Sequence, residues 1–185
     1  IPKERCTNPD TLSFITELLP SEDKVPLRNT IYTLSCVLLD RSDCDRKLAE
    51  KFKTEYGRTH NFVHKFAQVV LPEEFDLLGT VYQSFLTEGV KNSTGSYYTE
   101  RSVTQELLDS LEAKPGASFL DPCCGSGTFL ILAQEMGLKI CGMDSDPIAV
   151  MIAKANLILS GAKEYPDIRV IDFVNRWKSE RRSFD

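Results

Sequence analysis

The chain has 185 residues, 42% of them apolar and 26% charged, with a formal net charge of −5. That balance excludes collagen-like, low-complexity and broadly disordered classes, and the length suits a single domain with an extension. No apolar run approaches the ~20 residues of a membrane span, and the negative charge argues against a surface that grips nucleic acid unaided, because phosphate neutralisation supplies most of that affinity.

The N-terminal stretch 1–10 is polar and carries no apolar signal segment. With no initiator Met, the chain reads as a piece of a longer cytoplasmic protein. The six cysteines, Cys6, Cys36, Cys44, Cys123, Cys124 and Cys141, form no C-x-x-C pair. They read as free thiols in a reducing compartment. A dense basic stretch, Arg176, Lys178, Arg181 and Arg182, reads as a solvated face.

Residues 1–90 are predicted to be all-helical. Apolar residues recur at helical spacing at Leu27, Ile31, Leu34 and Leu38, then at Leu48, Phe52 and Tyr56, and again at Phe62, Phe66 and Val70. A further stripe runs through Phe75, Leu78, Val81, Tyr82 and Phe85. Breaks are expected near Pro20–Pro26, Arg41–Asp45 and Gly57–His60. His60 and His64 stand four apart, but Asn61 follows the first where a zinc-protease helix needs Glu, so no metal site is predicted.

From residue 91 to 185 the pattern changes. After a loop, Gly89–Ser96, one more helix spans Thr99–Glu112, with Val103, Leu107, Leu108 and Leu111 on one face. Strand and helix then alternate. Ser118–Leu120 is a short strand ending at Asp121, and a glycine turn, Cys123–Gly127, leads into a helix over Thr128–Met136. Leu138–Met143 is the second strand, ending at Asp144. Asp146 and Pro147 open a helix to Ser160, and Ile168–Ile171 is a third strand ending at Asp172. This order implies a parallel sheet, its apolar strands buried on both faces. Ligands of such sheets sit beyond the carboxyl ends of the strands, where Asp121, Asp144 and Asp172 would share one rim.

A glycine turn lets a ligand approach the backbone. Asp144 lies 19 positions after Gly125, where a carboxylate accepts from ribose hydroxyls. A nicotinamide fingerprint wants Gly or Ala at the sixth position, which counted from Gly125 is Leu130. Asp121, just before the turn, would repel a diphosphate and attract a cation. The electrostatics therefore favour S-adenosylmethionine, with its ammonium and sulfonium, over NAD, FAD or ATP.

At these residues the sequence resembles a known family. Asp121-Pro122-Cys123-Cys124-Gly125-Ser126-Gly127-Thr128-Phe129-Leu130 is similar to the first motif of adenine-specific (N6) DNA methyltransferases of restriction–modification systems. Gly95-Ser96-Tyr97-Tyr98-Thr99 resembles their upstream G-x-[FY]-[FY]-T-P motif, with Glu100 in place of Pro. Leu77-Leu78-Gly79-Thr80-Val81-Tyr82 resembles the last helix of the helical region that precedes this motif in Type I modification subunits and Type II fusions. The resemblance implies an α/β class, a partial doubly wound, Rossmann-like S-adenosylmethionine-dependent methyltransferase fold at 91–185 preceded by the helical region at 1–90. It implies that Thr99, with the backbone around Tyr97 and Tyr98, contacts the methionine end of the cofactor. Asp121 and the backbone of Gly125, Ser126 and Gly127 would line that end, Asp144 would accept from the ribose, Asp172 from the adenine amino group, and Phe173 would pack on the ring. The plain alternatives are that Asp121 only caps the turn and that Asp172 is a loop-start carboxylate.

The same resemblance implies that the acceptor is the 6-amino group of a flipped adenine, held by a [DNS]-P-P-[YFW] motif. Asn8-Pro9, Asp121-Pro122 and Asp146-Pro147 continue with Asp10, Cys123 and Ile148, so this motif is not in the chain. No catalytic residue is therefore assigned. The expectation is an inactive cofactor-binding fragment, with DNA bound mainly elsewhere and restriction or specificity subunits as partners. The alternatives are an RNA or protein-glutamine methyltransferase of the same acceptor class, and a non-catalytic docking module.

Overall fold

The computed structural model describes residues 27–57, 76–86 and 99–179. The predicted stripe at Phe62, Phe66 and Val70, the pair His60 and His64, and Phe75 lie outside the described residues. Ten elements follow in order: α1 (Leu27–Arg41), α2 (Arg46–Tyr56), α3 (Leu77–Phe85), α4 (Arg101–Asp109), β1 (Ser118–Asp121), α5 (Thr128–Glu135), β2 (Lys139–Asp144), α6 (Pro147–Leu159), β3 (Ile168–Val170) and α7 (Phe173–Ser179).

Aspartates start three of the helices. Asp45 accepts from the amides of Lys47 and Leu48 at the head of α2, Asp76 from Gly79 at the head of α3, and Asp146 from Ile148 at the head of α6. Each satisfies a backbone donor that the first helical turn leaves open. The strands form one parallel sheet in the order β1-β2-β3, with Ser118 beside Lys139 and Gly142 beside Ile168.

Two apolar cores share one wall. Ile31, Leu34 and Leu39 of α1, Phe52 of α2 and Leu78 and Val81 of α3 meet Met151, Ile152, Ala155 and Ile158 of α6 in the first. Val150, Ala153 and Leu157 of the same α6 meet Leu130, Ile131 and Ile168 in the second, with Phe119 and Ile140 packed against them. A helix apolar on nearly every side is one that is buried on nearly every side. Thus α6 lies between the α1–α3 layer and the sheet layer. Gly142 of β2 leaves room for α5 and β3: a Cβ on it would come within 2.6 Å of Leu130 Cδ1 and 2.9 Å of Ile168 Cδ1.

Three expectations need correction. On α4, Leu108 and Thr104 are buried, whereas Val103 and Leu107, and Leu111 just beyond the helix end, are exposed. The shorter helix turns only its Thr104–Leu108 edge inward. The strands are not buried on both faces. Phe119 and Ile140 pack toward the second core, whereas Leu120 and Cys141 are half-buried and Val170 is 54% exposed, because α5 and α6 cover the strands only on the side of that core. Finally, β3 stops at Val170, and Asp172 instead caps the following helix: its Oδ1 accepts from Asn175 N at 3.0 Å. Glu100 precedes α4 at φ −62°, the value a proline ring would fix, so the helix starts where Pro would have started it.

A polar cluster fastens α2 to α6. Lys154 is 8% exposed, and its Nζ lies 2.6 Å from Glu55 Oε1, while Tyr165 donates to the other Glu55 oxygen. Burial pushes the Glu55 carboxyl up, but the bonds from Lys154 and Tyr165 outweigh it and hold it below its usual 4.5. A depressed carboxyl contributes stability that is complete above its unfolded value and disappears as pH falls through the folded one. Glu55→Gln should therefore cost about 1–3 kcal/mol at neutral pH, toward the lower end because Glu55 is partly exposed. It should also flatten the loss of stability below pH 4.5 relative to wild type. Urea denaturation across pH 3–7 checks both; equal slopes would remove Glu55 from the acid response.

Candidate functional site

The carboxyl ends of the strands open into a pocket of about 310 Å³, within the size range of small-molecule sites. Its floor is the turn after β1. Gly125 takes φ +53° and Gly127 φ +92°, the left-handed region that side chains disfavour. Gly127 has a second reason to lack a side chain, since a Cβ there would lie 3.2 Å from Ala153 Cβ on α6.

Asp144, the last residue of β2, organises this floor. Its Oδ2 accepts from Gly125 N and its Oδ1 from Asp146 N, both at 2.9 Å. One carboxylate thus fixes the glycine turn and the turn into α6. Cys124 N donates to Met143 O and Ile171 N to Asp144 O, each at 2.8 Å, drawing both neighbouring loops onto the end of β2. A carboxylate offers about four lone-pair positions, so two remain for a ligand.

Asp121 accepts from Cys123 N at 3.1 Å. Burial pushes its carboxyl up, and the nearby Asp144 charge adds to that, against the backbone bond. The Cys123 thiol is raised by burial and then by Asp144, Asp121 and Asp172. Among the described residues, no Lys, Arg or His lines the pocket, while Asp121, Asp144 and Asp172 all do. Such a pocket suits a ligand that carries positive charge and no phosphate.

Of the sequence-predicted residues, Thr99, Asp121, Gly125, Ser126, Asp144, Asp172 and Phe173 line this single pocket. Gly127 sits behind it, as the cap residue of α5. Tyr97 and Tyr98 lie outside the described residues. The plain alternative for Asp121 describes a real bond, since it caps the turn, whereas Asp172 is the cap of α7 rather than a loop-start carboxylate. Gly79, Tyr82 and Gln83 of α3 line the pocket too. Composition and periodicity marked Tyr82 only as an apolar stripe residue. Among the described residues no group of three or more His, Cys, Asp or Glu could hold a metal ion, and no helix is long and apolar enough to cross a membrane.

The family model described as N-6 DNA Methylase matches residues 73–185. The methylase subunit of the Type I restriction enzyme MjaIX from Methanocaldococcus jannaschii is 37% identical over 138 residues, covering 66% of this chain and 24% of that protein. The Type II methyltransferase M.VspI from a Vibrio species is 37% identical over 84 residues, 43% of this chain and 21% of that protein. A ribosomal protein L11 methyltransferase of Burkholderia cenocepacia is 43% identical over 72 residues, 38% of this chain and 23% of that protein. The chain therefore spans about a quarter of the length of these curated relatives.

Asp121 offers a test that needs no ligand. An acid whose carboxyl is raised by the fold costs stability above its unfolded value, 3.8, and the cost is complete once pH exceeds the folded value. Asp121→Asn removes that charge and keeps an oxygen to accept from Cys123. The variant should be at least as stable as wild type at pH 7. Wild type should recover the difference as pH falls toward 3.8, which paired thermal melts would read. A variant that melts earlier at pH 7 would make Asp121 a structural residue.

Proposed function

Because the chain belongs to the N-6 DNA Methylase family, we propose that its rim pocket holds S-adenosylmethionine. On this reading it is the cofactor-holding part of a cytoplasmic DNA adenine-N6 methyltransferase of a restriction–modification system. The observation that carries this reading is the charge of the site: three carboxylates at the ends of parallel strands, no cationic lining residue among those described, and a glycine turn held by Asp144. The three-stranded sheet with α5 and α6 is then the first half of a doubly wound, Rossmann-like fold at 91–185, and 1–90 is its helical companion.

The residues present fit the cofactor. Asp121 balances the ammonium and sulfonium charges, and the backbone of Gly125–Gly127 lets the methionine end lie close. Thr99 contacts that end, where the resemblance also implies the backbone around Tyr97 and Tyr98. The two open lone-pair positions of Asp144 accept from the ribose hydroxyls. Asp172 accepts from the adenine amino group, and Phe173 covers the ring. When bound, S-adenosylmethionine supplies an electrophilic methyl group on a sulfonium. The part played by this chain is to fix its direction, since methyl displacement depends on alignment.

The acceptor motif is not in the chain, so we assign it cofactor binding without methyl transfer. The flipped adenine, the DNA contacts and the restriction or specificity partners belong to the whole protein. The match to a ribosomal protein methyltransferase over 72 residues supports a second reading, transfer to a protein, because a cofactor floor is indifferent to the acceptor. Titration calorimetry should show S-adenosylmethionine or S-adenosylhomocysteine binding to this chain. Asp144→Asn, which keeps a single acceptor oxygen, should weaken it roughly 10- to 100-fold. Absence of binding, or unchanged affinity in the variant, would overturn the site; methylation of DNA by this chain alone would overturn the division of labour.

A further inference from the structure

The pocket has a wall that the α/β part does not supply. Helix α3 comes from the helical layer, and Gly79, Tyr82 and Gln83 line the pocket. Two hydrogen-bonded arms run from this helix into the loops under the ligand.

The first arm starts at Asp76, which is 1% exposed. Its Oδ1 accepts from Gly79 N and from Asn156 Nδ2 of α6, both at 2.8 Å. The same Asn156 amide donates its second hydrogen to the carbonyl of Ser126 in the glycine turn, at 3.0 Å. Asn156 is 6% exposed, and both its donors are committed, one to the helical layer and one to the turn. Gly79 makes this possible, because a Cβ there would lie 2.2 Å from Asp76 Oδ2. The second arm starts at Tyr82, whose hydroxyl donates to Asp146 Oδ2. The Asp146 amide donates to Asp144 Oδ1, and Asp144 Oδ2 holds Gly125 N. Both arms therefore end on adjacent residues of one turn.

We propose that α3 is the positioning element of the cofactor rim, with Asn156 setting the glycine turn and Tyr82 setting the Asp144 carboxylate. This rests on the cofactor reading above for the identity of the ligand, but not for the coupling itself. A buried amide with both donors committed holds one geometry, because each alternative leaves an Asn156 donor unpaired. Docking of the helical layer and binding at the rim then draw on one free energy, and each strengthens the other. The two arms have different consequences. Asn156 acts on the turn that faces the methionine end, whereas Tyr82 acts on the carboxylate that faces the ribose.

The test uses Asn156→Ala and Tyr82→Phe in this chain, the second removing one hydroxyl and keeping the buried ring. Without ligand, the amides of Gly125 and Gly127 should exchange with solvent several-fold faster in both variants. Affinities for S-adenosylhomocysteine and for 5′-methylthioadenosine, which lacks the amino-acid end, are then compared. Asn156→Ala should weaken the first about 10-fold and the second by no more than about 3-fold, while Tyr82→Phe should weaken both alike. Wild-type exchange rates at the two glycines would overturn the proposal, and so would an equal loss of both ligands in Asn156→Ala, the signature of general destabilisation. If Asn156→Ala does not fold, Tyr82→Phe decides through its exchange rates. If wild type binds neither ligand, the cofactor reading fails while glycine exchange still decides the coupling.

Discussion

Asp144 has two carboxylate oxygens, and each already holds a loop. One accepts from Gly125 N and the other from Asp146 N, so the geometry of the pocket floor follows from the end of a single strand. The constraint is strong because the donors are backbone amides beside positions with little freedom. Gly125 must take φ +53°, and Asp146 must also cap α6. A ligand that binds the remaining lone pairs meets an oriented carboxylate, and orientation fixed in advance lowers the ordering cost of binding. The carboxylate at this place is thus the scaffold of the floor.

The second dependence is on α6. It is apolar on most sides because it has cores on two sides, with Met151 and Ile152 facing the helical layer and Val150 and Ala153 facing the sheet layer. Its two buried polar residues are the exceptions, and each reaches across a layer. Lys154 pairs with Glu55 of α2, and Asn156 bridges Asp76 and Ser126. Burying an amide or an ammonium is costly without partners. The helical layer is therefore more than an apolar cover on the α/β part, since it holds the partner of Lys154 and one of the two partners of Asn156.

Much of this was legible in the sequence where one residue type has one physical meaning. Glycine after a strand gave the turn, Asp146-Pro147 gave the start of α6, and alternating strand and helix gave a parallel sheet. The rim carboxylates followed from their spacing. Less legible were features set by contacts between distant residues. The stripe on α4 shows that periodicity finds a face but not its orientation, since Val103 and Leu107 turn to solvent. Burial on both sheet faces was inferred from apolar strands, yet the half-buried Leu120 and Cys141 depend on what packs against them. Asn156 did leave a signal, a lone amide in an apolar helix. Nothing in its neighbourhood in sequence identifies Asp76, 80 positions away.

The distribution of chemistry along the chain also accounts for the breadth of its relatives. A methylase subunit of a Type I restriction enzyme and a ribosomal protein L11 methyltransferase both align with this chain. The residues that line the pocket floor have no feature that could tell a base from a protein side chain. They offer carboxylates, backbone and small residues, all suited to the cationic, phosphate-free ligand proposed for the pocket. What differs from one methyltransferase to another must enter from the walls. Here one wall is α3, which belongs to the helical layer and carries Tyr82 into the pocket. A helix that both bounds the pocket and holds the loops beneath it is where a shared floor can be fitted to a particular protein.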